Sequence, residues 1–165
     1  MFNSGNLVLD LLHNFFLESG ARTHKARVYE VTSNETARTM IGYLLVRGGV
    51  HQAAYGLAVQ KLTGVDMTKM LPLPNIDNEK FEHTVPWQTN GEHAKLYTFS
   101  PSDYMQLGAI WNGKADWADG APLEVVQGHP EGAIAPEGSH NASGFAPQYE
   151  PEEIYEIAKK LVKKM

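Results

Sequence analysis

Two residues in the first half of the chain have side chains suited to binding a metal ion, the carboxylate of Glu18 and the imidazole of His51. Each lies among apolar and small residues at steps of three, four or seven, the spacing that places residues on one helix face. Two antiparallel helices of one bundle can direct a carboxylate and an imidazole to the same interior point, the construction used for dinuclear metal sites. The pair therefore predicts half of such a site.

The same spacing is compatible with plainer roles for both residues. Glu18 fits a solvated position at the edge of an apolar stripe, because glutamates are seldom fully buried without a partner. His51 fits a core or interface position without a ligand. A complete site needs two more carboxylates and a helical Glu-x-x-His pair, but the only such match, Glu137 to His140, lies in a Gly- and Pro-rich loop. Gly48, three residues before His51, also lacks the carboxylate typical of a ferritin-type iron-oxidising centre.

The remaining histidines carry weaker signals. His13 and His24 are five and six residues from Glu18, so helical geometry turns them away from the direction of that carboxylate. We expect both at an interface or on the surface. Four others lie in loop-rich sequence without the paired spacing of zinc sites, namely His83, His93, His129 and His140.

Two long helices must position Glu18 and His51. Asn3 or Ser4 can cap the first, which we expect to run to about Glu30. Residues 32–34 offer caps for the second, with a Thr-x-x-Glu capping box ending at Glu35 and a stop at residues 62–64. The fold class predicted is therefore mainly α, with a helical hairpin that forms half of a ferritin-like four-helix bundle.

The sequence after the hairpin is rich in Pro, Gly and Asn, which predicts a division into residues 1–70 and a loop-rich extension, 71–165, with short helices. We expect this extension to wrap the bundle or neighbouring subunits. Its elements should be a short helix starting at 100–103 and ending near 113, a strand over 123–127, a loop over 128–149 and a terminal helix from 151.

Composition excludes several classes of protein. The chain has 165 residues, a formal charge of -5 and no cysteine. It therefore has no thiolate metal site or disulfide, and it lacks the basic surface expected of a nucleic-acid partner. No apolar run is long enough to cross a membrane, and the N-terminus does not resemble a signal peptide. We expect a cytoplasmic protein with no membrane or nucleic-acid partner.

One long string of the sequence is GNLVLDLLHNFFLESGARTHKARVYEVTSNETARTMIGYLLVRGGVH. It resembles the third and fourth bundle helices of the manganese catalases, the non-heme di-manganese enzymes that disproportionate hydrogen peroxide. The resemblance continues through TGVDMTKMLPLPNIDN, LYTFSPSDY, EVVQGHPEG and FAPQYEPEEIYEIAKKL. It covers essentially the whole chain.

The resemblance implies roles for three residues. Glu18 would be the manganese carboxylate of the third helix, His51 the imidazole ligand of the fourth, and Lys25 a charge near the metal-bound solvent. A plain surface position remains the alternative for Lys25. The family also implies two manganese ions, no heme, hydrogen peroxide as substrate, a hexamer and possible calcium at a subunit interface.

The chain departs from the family pattern at its start. Members of the family are expected to begin with two further helices that supply another terminal Glu, a bridging Glu and the Glu-x-x-His histidine. Half of the metal ligands would then come from outside this chain, from another polypeptide or from a second copy in at least a dimer. The alternatives are an inactive fragment with a structural or oligomer-building role, and a ferritin-like iron-binding protein.

Overall fold

The computed structural model describes residues 4–67, 78–98, 107–128 and 130. Two long helices form its centre, α1 over Leu7–Val31 and α2 over Glu35–Thr63, with 25 and 29 residues. Only residues 32–34 connect them, so they pack side by side as an antiparallel hairpin. The predicted hairpin is confirmed.

The start of α1 lies slightly later than predicted. Asn6 is the N-cap, and its side chain accepts a hydrogen bond of 3.1 Å from the amide of Leu9. Ser4 does not cap the helix, because its hydroxyl donates to the carboxylate of Asp10 at 2.7 Å. The predicted cap at Ser4 is therefore wrong, and the alternative cap, Asn3, lies outside the described residues.

The ends of α2 agree with the sequence in part. Asn34 is the N-cap and accepts from the amide of Ala37 at 2.9 Å. The capping box from Thr32 to Glu35 does not form, because the Glu35 carboxylate instead accepts a 2.6 Å hydrogen bond from Nε2 of His83. At the other end the helix stops at Gly64, which has a φ of 75°. Glycine adopts this left-handed conformation without the steric cost that a Cβ would bring.

Two apolar clusters fill the space between the helices. One lies near the interhelix connection and the other near the opposite end of the hairpin. The first contains Tyr29, Ile41, Leu45 and Phe81, and the second contains Phe15, Val59 and Met67 with Leu11, Leu12 and Tyr55 packed against it.

Residues 78–98 pack along the side of α2. They form 3-10 turns at Asn78–Lys80, Glu82–Thr84 and Glu92–Ala94, a short helix α3 over Val85–Thr89, and strand β1 over Lys95–Thr98. Gly42 of α2 permits this packing, because a Cβ there would lie 2.3 Å from the backbone oxygen of His83. The absence of a side chain therefore lets two stretches of backbone meet.

Strand β1 pairs in parallel with β2 over Glu124–Gln127, in the register Lys95 with Glu124 through Thr98 with Gln127. The strand predicted over 123–127 is thus confirmed. A 3-10 turn over Leu107–Ala109 precedes Trp111, whose buried indole donates to the carbonyl of Ala94 at 2.8 Å.

Several predicted elements lie outside the described residues. They are the helix start at 100–103, most of the loop over 128–149 and the terminal helix from 151. The predicted helix end near 113 is described and is wrong, because the chain there forms only a 3-10 turn over Leu107–Ala109. The described residues up to Gly128 belong to one compact unit, Met1–His129, and the second unit, Pro130–Met165, is described only at Pro130. The predicted boundary near residue 70 stays a prediction. Among the residues described, no helix is long and apolar enough to span a membrane.

Candidate metal centre

Glu18 of α1 and His51 of α2 face each other across the hairpin. Nδ1 of His51 lies 3.2 Å from Oε1 of Glu18, and because the carboxylate can only accept, the imidazole donates. The Glu18 side chain is 20% exposed and the His51 side chain 47% exposed. The pair is therefore accessible from one side and covered on the other.

The edge position of the pair follows from the residues around it. On α1, Phe15 and Arg22 are buried in the contact with α2 and lie three residues before and four after Glu18. On α2, buried Gly48 lies three residues before His51. Both site residues thus lie on the rim of the interhelix contact, intermediate between the buried and solvated positions that spacing alone left open.

Lys25 lies close to the same rim. A Cβ at Gly48 would be 3.1 Å from Nζ of Lys25 and 3.0 Å from Cγ of Arg22. Gly48, one helical turn before His51, therefore leaves room for two cationic side chains of α1. The position of Lys25 agrees with the role that the resemblance implies, although the role itself stays a prediction.

The electrostatics of the pair favour an ionised carboxylate. The hydrogen bond from His51 lowers the pKa of Glu18, burial opposes this shift, and the charges of His51, Lys25 and Arg22 lower it further. Burial raises the pKa of Tyr55, and the negative charge of Glu18 raises it more. Glu18 is thus held in the deprotonated form that metal ligation requires.

Sequence reasoning missed one buried charge beside the pair. Arg22 is 6% exposed and donates to Oε1 of Gln52 at 3.1 Å and to Oδ1 of Asn78 at 2.8 Å. Burial lowers the pKa of this guanidinium, and the charge of Glu18 opposes the shift. The signal in the sequence was an arginine on the face of Glu18, one turn away, with the Gly48–Gly49 pair on the facing helix.

Comparison with known proteins places the chain in a family. Residues 1–165 match the family described as manganese containing catalase. The chain belongs to that family. A manganese catalase of Lactiplantibacillus plantarum is 31% identical over 100 residues, which cover 58% of this chain and 36% of the relative.

A second manganese catalase, from Bacillus subtilis, is 36% identical over 59 residues, or 36% of this chain and 22% of the relative. The aligned stretches thus span only a minor share of either curated manganese catalase. The full activity of such proteins is therefore not carried over to this chain by the comparison alone.

The donors of the site suit the metal in the family's description. Carboxylate and imidazole are ligands that Mn²⁺ accepts. Both side chains could donate to one ion, because Oε1 of Glu18 lies 3.2 Å from Nδ1 of His51.

The other histidines of the described chain have different partners. His83 lies 2.6 Å from the Tyr29 hydroxyl in addition to its contact with Glu35. His93 lies 2.9 Å from Oδ1 of Asp119. His13 and His24 are exposed, and His129 and the pair Glu137 and His140 lie outside the described residues.

Within residues 4–67, 78–98, 107–128 and 130, no three His, Asp or Glu side chains gather into a group able to hold a metal. Glu18 and His51 therefore fit manganese as two ligands of a larger set.

Proposed function

We propose that the chain carries part of the di-manganese centre of a non-heme catalase that converts hydrogen peroxide to water and dioxygen. The observation that supports this most directly is the 3.2 Å approach of Glu18 and His51 across the hairpin, in a chain of the manganese catalase family. Bound manganese would supply the capacity to accept and return electrons. We propose two ions and no heme.

The chain's own residues would hold and tune the metal. Glu18 supplies an anionic oxygen that its surroundings keep deprotonated. His51 supplies a neutral ring nitrogen, the form in which imidazole ligates. Lys25, whose ammonium lies close to Gly48, would orient the Glu18 carboxylate and offset negative charge as peroxide approaches.

The remaining ligands would come from helices that cover an open face of the hairpin. We define the open face by apolar residues that lie seven or eleven residues from Glu18 or His51, and so on the same helix sides. Its members are Leu7 at 61% exposure, Met40 at 59%, Leu44 at 39% and Leu62 at 52%. Proteins rarely leave an apolar stripe of this kind in water.

We propose that a second copy of the chain covers the open face, so that the assembled protein is at least a dimer and, as the family resemblance implies, a hexamer. The alternative cover is a further part of a longer polypeptide. Pairing two hairpins about a two-fold axis would re-form a four-helix bundle with two copies each of Glu18 and His51. Other apolar residues of the hairpin do not belong to the open face. Phe15 is buried against Val59 and Met67, while Leu11 and Tyr55 are half-buried.

The catalase proposal is tested by measuring oxygen release from excess peroxide with manganese-loaded protein. We expect Glu18→Gln and His51→Ala each to abolish oxygen release and to weaken manganese binding. Glu30→Gln and His24→Ala change the same residue types at exposed positions of α1 and should behave as the unmodified protein. Absence of oxygen release from protein shown by elemental analysis to hold two manganese ions would refute the proposal.

A non-catalytic role as an oligomer-building piece is the second candidate. It is favoured by the presence of only two metal donors at the site among the described residues and by the exposed apolar residues of the open face. Protein purified from manganese-rich medium with only traces of metal would support it. Iron oxidation is disfavoured, because Gly48 stands where such centres need a carboxylate; ferroxidase turnover would reverse that conclusion.

A further inference from the structure

A buried arginine lies directly behind the Glu18–His51 pair. Its guanidinium joins three parts of the chain, because it belongs to α1, donates to Gln52 of α2 and donates to Asn78 at the start of the segment that packs on α2. Gln52 in turn donates from Nε2 to the hydroxyl of Ser19 at 2.7 Å. We call Arg22, Gln52, Ser19 and Asn78 the Arg22 brace.

The brace is adjacent to the site in sequence and in space. Ser19 directly follows Glu18, and Gln52 directly follows His51. The Ser19 hydroxyl also donates to the carbonyl of Phe15 at 2.8 Å, so it is fixed to its own helix. The Ser19–Gln52 hydrogen bond therefore connects the turn of α1 that carries Glu18 to the turn of α2 that carries His51.

Hydrogen-bond geometry makes this tie sensitive to small movements. Side-chain hydrogen bonds keep their strength over a range of only about 0.5 Å. A shift of α1 along α2 by one residue is about 1.5 Å. Any such shift that separates Glu18 from His51 would therefore also break the bonds from Gln52 to Ser19 and Arg22.

The choice of a charged residue at this position needs an explanation other than stability. Burying a charge costs several kcal/mol before its hydrogen bonds repay part of it, and a well-packed apolar residue often stabilises a contact equally well. The facing helix is nevertheless shaped for the guanidinium. A Cβ at Gly48 would lie 3.0 Å from Cγ of Arg22, and one at Gly49 would lie 3.7 Å from its Cζ.

We propose that Arg22 is a positioning residue, whose brace holds α1 and α2 in the register that brings Oε1 of Glu18 to Nδ1 of His51. The expected effect of Arg22 on metal binding rests on the proposed function, in which Glu18 and His51 are manganese ligands. The register itself is a property of the protein without metal. Arg22 acts through Gln52 and Ser19, not by touching the substrate.

The test compares Arg22→Lys with the full chain, because lysine keeps the charge but cannot donate to Gln52 and Asn78 in the same fixed geometry. The first measurement is the ring nitrogen NMR signal of His51 in metal-free protein, assigned with His51→Gln. A hydrogen bond to Glu18 holds the proton on Nδ1, so we expect Arg22→Lys to shift the ring toward the Nε2–H tautomer. The second is a Mn²⁺ titration, with affinity expected to fall about tenfold or more.

Arg38→Lys is the matched control. Arg38 also makes an inter-element contact, donating to the carbonyl of Thr32 at 2.7 Å and lying over the Tyr29 ring, but it sits at the other end of the hairpin. We expect no change in the His51 signal or in Mn²⁺ affinity. If Arg22→Lys does not fold, Asn78→Ala removes one acceptor of the guanidinium and should give a smaller shift in the same direction.

The inference is overturned if the His51 ring signal in Arg22→Lys matches that of the unmodified protein, or if Arg38→Lys changes it equally. Failure of the proposed function looks different. In that case Glu18→Gln and His51→Ala would bind Mn²⁺ as well as the unmodified protein, while the metal-free NMR signal would still decide the role of Arg22.

Discussion

The two sides of α2 contrast sharply in how they are covered. On one side, Gly42 is buried against the backbone of His83, within residues 78–98. On the other, Leu44 and His51 remain exposed, and His51 contacts Glu18 of α1. The same helix therefore has one side covered by protein and another side open to solvent.

Charged groups behave differently on these two sides. On the covered side, Arg47 donates to the carbonyls of Glu92 and Lys95 at 2.8 and 2.7 Å and lies over the Tyr97 ring. Burial, together with the hydrogen bond to Glu92, raises the pKa of Tyr97 to about 12. Several neighbours hold the charged side chains on the covered side in place, and these side chains contribute to packing.

The exposed side keeps its carboxylate and imidazole within reach of solvent, which is what a metal and a small substrate need. Burial of charge alone therefore does not mark the candidate site. The site is marked by a charge pair that stays partly accessible at the rim of a packed contact.

The largest expected effect on stability comes from a substitution at the close backbone contact between α2 and residues 78–98. Gly42→Ala would place a Cβ 2.3 Å from the backbone oxygen of His83, so the segment must move away from α2. We expect a loss of about 3 kcal/mol in the free energy of unfolding, measured by urea denaturation.

Gly20→Ala is the matched control, because nothing lies within 4 Å of a Cβ at this glycine in the middle of α1. Alanine favours a helix over glycine, so this variant should be more stable by about 0.5–1 kcal/mol. Equal effects of the two substitutions would contradict the close contact at Gly42.

A smaller loss is expected from Arg47→Met. Methionine fills much of the same space but leaves the carbonyls of Glu92 and Lys95 without their buried donor. We expect a loss of about 2 kcal/mol in the free energy of unfolding. Arg27→Met changes an exposed arginine of α1 and should stay within about 0.5 kcal/mol of the unmodified protein.

On the open face the expected effect is on assembly more than on folding. Leu44→Ser changes a residue that is 39% exposed in the single chain, so unfolding of that chain should change by about 0.5 kcal/mol or less. Association should weaken, because apolar area is lost from the surface proposed to be covered. Light scattering measures this, and a monodisperse monomer of the unmodified protein would contradict the proposed assembly.

The smallest effect concerns pH. The hydrogen bond from His51 lowers the pKa of Glu18 in the folded protein. The ionised Glu18 therefore stabilises the fold above the unfolded-state pKa, and this stabilisation is lost as pH falls through the lowered folded-state pKa. Because the pair is partly exposed, we expect Glu18→Gln to lower the free energy of unfolding by about 0.5 kcal/mol at neutral pH. In acid, the free energies of unfolding of the variant and the unmodified protein should become equal. A difference that stays constant across pH would show that the carboxylate's charge is not involved.

The sequence was sufficient to predict the long elements. Apolar spacing and Gly64 predicted both helices, and the strand predicted over 123–127 forms over Glu124–Gln127. The N-caps were harder, because Ser4 and Asn6 are both good capping residues and only the hydrogen bond from Ser4 to Asp10 decides between them.

The candidate site was predictable for a different reason. Helical spacing left open plainer positions for Glu18 and His51, and the resemblance to manganese catalases pointed to them as ligands; the structure brings them to 3.2 Å. The Arg22 contact with Gln52 was not predictable in the same way. It depends on the rotation of α1 against α2, which Gly48 and the residues of the following segment set together.

The parallel pairing of β1 with β2 has a consequence for the order of folding. Parallel strands cannot be joined by a tight turn, and a two-stranded pair is only marginally stable alone. The contact between Lys95 and Glu124 therefore closes a long loop, which costs chain entropy before any hydrogen bond forms. The amides of Val125 and Val126 should accordingly gain protection from hydrogen exchange after those of the helices, and they should lose it first when the native protein opens.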